Sequence, residues 1–391
     1  MVERKYFNNE ADTLVVLSKQ SPDIPMAVEN LTPAFNYDDF LNLSYLHRVL
    51  PLVFYHIGSR RELNERFPTP TKEFGRIISK AQEYRTASLL RHAKDVFKEL
   101  NNAGARFVLF RGLLLATTVY KNPTWRNFED IDLLIEEGSI RQVDSVLGDL
   151  GYMQGSFDVD SKTVIPYTKE QLDFWSRERQ HLGSYLLATN DPFTAAVKID
   201  VHYKLTNKHD SFLIHGRDLL GKTRKTQILG TEIEAVDIND LLILLCVHIH
   251  SHSRWLYEMR DHNDLHLSRF TDIFEVVKKY QSVIDWNLLI ERTRKFGVHY
   301  LVSLGLIWAN KLYGNFIPEE VLAAIKPKDF ELREKEIILR DKFDDTTPVA
   351  KWQEDFTERL FNPRRYERVI GLIGIPQESD TQILGLSHYH F

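Results

Sequence analysis

Phe107-Val-Leu-Phe-Arg-Gly112, followed by Arg126-Asn-Phe-Glu-Asp130-Ile-Asp132-Leu-Leu-Ile135, carries more information than any other part of this chain. It reads as two short apolar strands. The first ends in a basic residue and a glycine, and the second carries two aspartates one residue apart. Side chains alternate along a strand, so Asp130 and Asp132 share one side while Ile131 and Leu133 share the other. Two carboxylates about 7 Å apart at their Cα atoms repel each other unless a cation lies between them. Oxygen-only ligands in this arrangement suit Mg²⁺ or Mn²⁺, which complete their shells with water and substrate phosphates. Aspartate is disfavoured in strands, and two in alternation inside an apolar run need a reason.

Working outward, Ala195-Ala-Val-Lys-Ile-Asp200-Val-His-Tyr-Lys-Leu205 is another β-rich run. Lys198, Asp200, His202 and Lys204 fall on one face, with Val197, Ile199, Val201 and Tyr203 on the other. If this strand lies beside the Asp130 strand, Asp200 completes a divalent-cation site. Two metals there orient an attacking oxygen and stabilise the leaving phosphate oxygen of an in-line displacement. The competing reading of each aspartate is a solvated polar residue on a half-exposed strand. It is weaker for Asp130 and Asp132 than for Asp200 alone.

The order Arg111-Gly112, a helical stretch Leu113–Tyr120, Asn122-Pro123, Arg126, Asp130-Ile-Asp132-Leu-Leu-Ile, then Leu147–Gly151-Tyr152 resembles the polymerase-beta-like nucleotidyltransferase superfamily. More narrowly it is similar to the bacterial "nucleotidyltransferase family protein" group, over roughly residues 45–310. In that group a Lys-Gly pair opens the helix, an arginine precedes Asp-x-Asp, and a later acidic-x-His strand supplies the third carboxylate, matched here by Asp200-Val-His202. The chain departs in two ways: Arg111 stands where lysine is usual, and the superfamily's Gly-Gly or Gly-Ser is absent. Arginine keeps the charge and adds a planar fork for phosphate.

The resemblance implies an α+β fold: a small mixed β-sheet palm with helices on one face, flanked by N- and C-terminal helical regions. The expected division is residues 1–102 helical, 103–236 the catalytic module, and 237–391 a C-terminal helical domain with a flexible tail. The implied activity is Mg²⁺-dependent (or Mn²⁺-dependent) transfer of a nucleoside monophosphate from an NTP to an acceptor, with release of pyrophosphate. Asp130, Asp132 and Asp200 are the expected metal ligands and catalytic carboxylates, with Asp200 also the general base. Arg111, Gly112, Arg126, Lys198 and His202 are the candidate nucleotide-binding residues, helped by backbone N–H groups at the helix start after Gly112.

Bulk properties narrow the class further. A chain of 391 residues is long for one core and predicts two or three domains, and 43% hydrophobic with 27% charged residues is ordinary globular composition. A formal net charge of −5 argues against a generic polyanion binder, so a small molecule, sugar, peptide or protein side chain is favoured as acceptor over nucleic acid. No apolar stretch reaches the ~20 residues of a membrane span. Met1–Asn9 is charged rather than signal-like, and the single cysteine, Cys246, lies inside an apolar run. A cytoplasmic protein is the expectation.

Elsewhere, apolar periodicity predicts a long amphipathic helix over Thr71–Asn101, a helix over Ser139–Leu150, and helices from Asp237 to about Gly314. Lys222–Val236 reads as a hairpin, and His181–Ala188 as a strand beside Val197–Leu205. Tyr152–Lys169 and the charge-rich chain beyond Lys326 have no readable period.

Two further sets of residues compete for function. His248 and His252 are spaced as two ligands on one helix face, which with Asp261, Asp264 or Asp272 raises a histidine-based metallohydrolase; no Glu lies between them as in the helical zinc-protease motif. Trp125, Tyr185 and Tyr203 are candidates to stack on a base, against the more frequent role of strand aromatics as core. A reading of another class keeps the nucleotide and drops the chemistry: a sensor or partner-docking subunit on the same fold.

Overall fold

The structure, a computed structural model, describes residues 8–179, 182–205, 212, 214–338 and 348–373. Two compact units emerge, one formed by residues 81–241 and the other by the described residues up to Lys80 together with those from Leu242 onward. Among the described residues no helix is long and apolar enough to cross a membrane.

The 81–241 unit is built on a mixed sheet of eight strands. In chain order these are β1 (Phe107–Leu109), β2 (Asp130–Ile135), β3 (Met153–Asp158), β4 (Thr163–Pro166), β5 (Tyr185–Asp191), β6 (Thr194–His202), β7 (Thr223–Ile228) and β8 (Thr231–Val236). Across the sheet they run β4-β3-β5-β6-β2-β1-β8-β7. The β2–β6 and β1–β8 pairs are parallel, and the remaining pairs are antiparallel.

Register follows from the two-residue period. Ile131 pairs with Ile199 and Leu133 with Val201, and all four side chains are fully buried. On this apolar face Tyr185, opposite Ile199, donates its hydroxyl to Asp144 at 2.8 Å. That contact places the Ile140–Asp149 helix over the face. Phe107, opposite Ile135, stacks on Phe97 with ring centroids 5.5 Å apart. The long Thr69–Asn102 helix, to which Phe97 belongs, therefore covers the same side. The α+β architecture with helices on one face is the one the resemblance implies.

The hairpin expected over Lys222–Val236 is β7–β8. Its two-residue turn places Leu229 at φ 54° and Gly230 at φ 81°, as the right-handed twist of the flanking strands requires. The unreadable Tyr152–Lys169 stretch forms the edge pair β3–β4, where Gly155 to Asp158 face Pro166 to Thr163. Its residues are mostly half-exposed or exposed, which explains the missing alternation. After this edge pair the chain forms the helix Lys169–Phe174 followed by a π-turn, Trp175–Arg179.

The second unit is helical. The Ser18 and Thr271 hydroxyls lie 2.9 and 2.7 Å from the Tyr313 hydroxyl, and the Leu267 N–H donates to His47 Nδ1 at 3.2 Å. Beyond Lys326 the described residues pack: the strands Glu336–Ile338 and Pro348–Lys351 and the Arg365–Ile373 helix join Leu256 and Met259 around Ile337, Trp352, Tyr366 and Val369. Arg359 and Arg365 hold the fully buried Asp264 at 3.2 and 2.6 Å. The tail expected at the end of the C-terminal domain falls, from residue 374, outside the described residues, as do residues 339–347 of the charge-rich stretch.

Candidate active site

The polar face of β2 and β6 carries the site. Parallel pairing sets Asp130 opposite Lys198 and Asp132 opposite Asp200, so three carboxylates and an ammonium share one side of two adjacent strands. Asp132 is the most buried, at 6% exposure. Lys198 Nζ lies 2.9 Å from Asp200 Oδ2 and 3.6 Å from Asp130 Oδ2. Across the face the Arg111 Nη2 donates to Asp132 Oδ1 at 2.6 Å, and His202 Nε2 lies 3.4 Å from the same oxygen. The ligand atoms of Asp132, Asp200 and His202 all fall within 4.8 Å of one another, the sole such group among the described residues.

Local backbone delivers Arg111. It follows β1 as the cap of the Gly112–Thr118 helix, at φ 142° and ψ −147°, a region that residues other than glycine enter only under strain. Gly112, at φ +23°, passes close to the acids: a Cβ there would lie 3.4 Å from the Asp130 carbonyl and 3.6 Å from Asp132 Oδ2. Phe110 turns to the polar face and meets the His202 ring edge-on, centroids 5.3 Å apart.

Electrostatics separates the three carboxyls. Desolvation and the neighbouring Asp132 push Asp130 up to about 6, against the pull of Lys198. For Asp132 burial acts upward, yet Arg111 and His202 outweigh it and hold the group far below the usual carboxylate range. Asp200 is likewise lowered, burial being overcome by Lys198 and His202. Lys198 is raised, because Asp200 and Asp130 outweigh its own desolvation.

Arg126 caps the short Pro123–Trp125 turn and donates to the Asn127 carbonyl at 3.3 Å. Tyr185 and Tyr203 are buried, the latter donating to the Ser176 carbonyl at 3.3 Å, so both serve the core. His248 and His252 pack edge-on, ring centroids 4.7 Å apart, and His252 Nδ1 lies 3.0 Å from Glu258 Oε1. That pair gathers no ligand triad among the described residues. One residue escaped sequence reasoning: Ser184, which donates to Asp200 Oδ1 at 2.7 Å. Alternation along β5 offered the only signal, since Ser184 precedes Tyr185, the partner of Ile199.

A family model described as "Uncharacterised nucleotidyltransferase" matches residues 33–314. The chain belongs to this family. It is therefore a nucleotidyltransferase, an enzyme of nucleotide group transfer, and the carboxylate face lies within the matched span. No match to the nucleotidyltransferase was found among curated proteins or solved structures.

Proposed function

We propose that this nucleotidyltransferase moves a nucleoside monophosphate from an NTP to an acceptor hydroxyl, phosphate or amine and releases pyrophosphate. Asp130, Asp132 and Asp200 are its catalytic carboxylates. One observation carries the reading: Asp132 and Asp200 stand opposite each other in parallel register, with a guanidinium against the first and an ammonium against the second.

The donor set fits a divalent cation. Two carboxylate oxygens and an imidazole nitrogen lie within 4.8 Å of one another, a set that accepts Mg²⁺ through its oxygens and Mn²⁺ through all three. Asp132, Asp200 and His202 would hold such a cation, which would supply charge neutralisation of the phosphate oxygens. The chain's own residues do the rest. Arg111 offers its planar fork to the triphosphate beside Asp132. Ser184 holds one oxygen of Asp200 and so orients the other. Asp130, outside the triad of Asp132, Asp200 and His202, takes the acceptor's proton in place of Asp200, whose two oxygens are held by Ser184 and Lys198. Net negative charge and the absence of a readable basic channel favour a small molecule, sugar, peptide or protein acceptor over nucleic acid. The composition supports a cytoplasmic setting.

The test is pyrophosphate release and label transfer from each of the four NTPs with Mg²⁺ or Mn²⁺ over a panel of acceptors, with Asp132→Asn as control. A second reading, nucleotide binding without turnover, draws on the internal pairing of Asp132 and Asp200 by Arg111 and Lys198. Tight NTP binding with no pyrophosphate released over the whole panel would select it.

A further inference from the structure

We infer that this chain binds one divalent cation where the two-metal scheme needs two, and that the Lys198 ammonium fills the place of the second. The inference deepens the transferase reading and rests on it for the role of the site, but its test counts ions directly.

Three observations carry it. Among the described residues the only triad of ligand atoms is Asp132, Asp200 and His202, and Asp130 stands outside it. The gap between Asp130 and Asp200 holds Lys198 Nζ, 3.6 Å from an oxygen of the first and 2.9 Å from an oxygen of the second. A second metal, about 3.5–4 Å from the first, would have to draw on those same oxygens. Finally, the backbone sets the ammonium there: Lys198 pairs with Asp130 across the β2–β6 ladder and sits two positions before Asp200 on its own strand.

Charge makes the two occupancies exclusive. An ammonium and a dication cannot share the same pair of oxygens, one from Asp130 and one from Asp200, where water is sparse. The second ion could enter only if Lys198 swung out, giving up its contacts with both acids. Arg111 is placed differently: its Nη2 meets Asp132 Oδ1 at 2.6 Å, so a turn toward an incoming phosphate leaves Lys198 in the space between Asp130 and Asp200. The single cation then sits at Asp132, Asp200 and His202. Asp130 stays outside its shell, where it is available for proton transfer.

The experiment is a Mn²⁺ titration of the full chain followed by electron paramagnetic resonance of the free ion, with and without a non-hydrolysable NTP. Expected counts of tight, Mg²⁺-competed sites on the nucleotide-free chain are one for the wild type, two for Lys198→Met and one for Lys198→Arg, which keeps the cation in place. Two sites in the wild type, none, or one in a folded Lys198→Met chain would overturn the inference. Should Lys198→Met not fold, the wild-type count still decides. Failure of the NTP to bind sinks the transferase reading and leaves the nucleotide-free count standing, so the two failures are told apart.

Discussion

Asp132 and Asp200 sit directly across from one another on adjacent parallel strands, and each holds a different cation: the Arg111 guanidinium at 2.6 Å and the Lys198 ammonium at 2.9 Å. A pair of like charges forced together by register, each answered by its own partner, organises the electrostatics of the whole face.

Asp132→Asn keeps the shape and removes the charge. Transfer should fall on the order of 10²–10³-fold or more, because catalysis on such a face is largely charge placement. The Arg111 left facing a neutral amide should cost about 1–3 kcal/mol of stability. Pyrophosphate release and urea unfolding on the same preparation check both. Undiminished turnover in a folded variant would remove Asp132 from the mechanism.

Ser184→Ala removes the hydroxyl that orients Asp200. Losing one hydrogen bond to a charged group costs about 1.5–3 kcal/mol at most, so the fold survives. The expected kinetic signature is a drop in kcat of about tenfold with little change in the KM for the NTP. A change confined to KM would mean that Ser184 touches substrate.

At Arg111 two truncations separate backbone from side chain. Arg111→Ala and Arg111→Gly both lose the guanidinium, but only glycine relaxes at φ 142°. The glycine variant should therefore unfold about 1–3 kcal/mol later than the alanine variant, while both bind NTP more weakly than wild type. Equal stabilities would show that the backbone moves when the side chain goes.

The raised Asp130 gives a signed pH effect. Its folded pKa of about 6 lies above the ordinary 3.8, so the folded chain holds a proton that the unfolded chain has released. The contribution is present in full below about pH 4 and is lost as pH rises through 6. Differential scanning of wild type against Asp130→Asn between pH 4 and 7 isolates it, since the other titrating groups are common to both. Saturating Mg²⁺ should flatten the stability difference.

In the helical unit His47 works with the opposite sign. Burial and the nearby Arg365 lower it to about 3, so the unfolded chain takes up a proton first as pH falls. Its contribution is complete above about 6.5 and lost on acidification, by about 2 kcal/mol between pH 7 and 5. Comparing urea midpoints of wild type and His47→Gln at the two pH values should show a shallower pH dependence in the variant.

Much of this was readable from residues alone. The alternation of Asp130 and Asp132 with Ile131 and Leu133 specified a strand with one polar and one apolar face, and the same held for Lys198 through His202. Helices with a full apolar stripe, such as Thr69–Asn102 and Ile140–Asp149, were legible for the same reason. The β3–β4 edge and the chain beyond Lys326 were not. Half-exposed edge strands carry little alternation, and the packed C-terminal elements owe their order to long-range partners: Asp264 for Arg359 and Arg365, and Leu256 and Met259 for Val369.

What the amino-acid order determined by itself was which residues are acidic, which face of each strand they occupy, and where the turns fall, because these depend on neighbours a few positions away. What only the tertiary structure decided was register: Asp132 rather than Asp130 opposite Asp200, Lys198 between the acids, and Ser184 against the third carboxylate. A slip of β6 by one residue against β2 would turn Lys198, Asp200 and His202 away from Asp130 and Asp132. That choice is set by burial of Ile131, Leu133, Ile199 and Val201 on the far side of the sheet, a sum over the whole core that no local stretch contains.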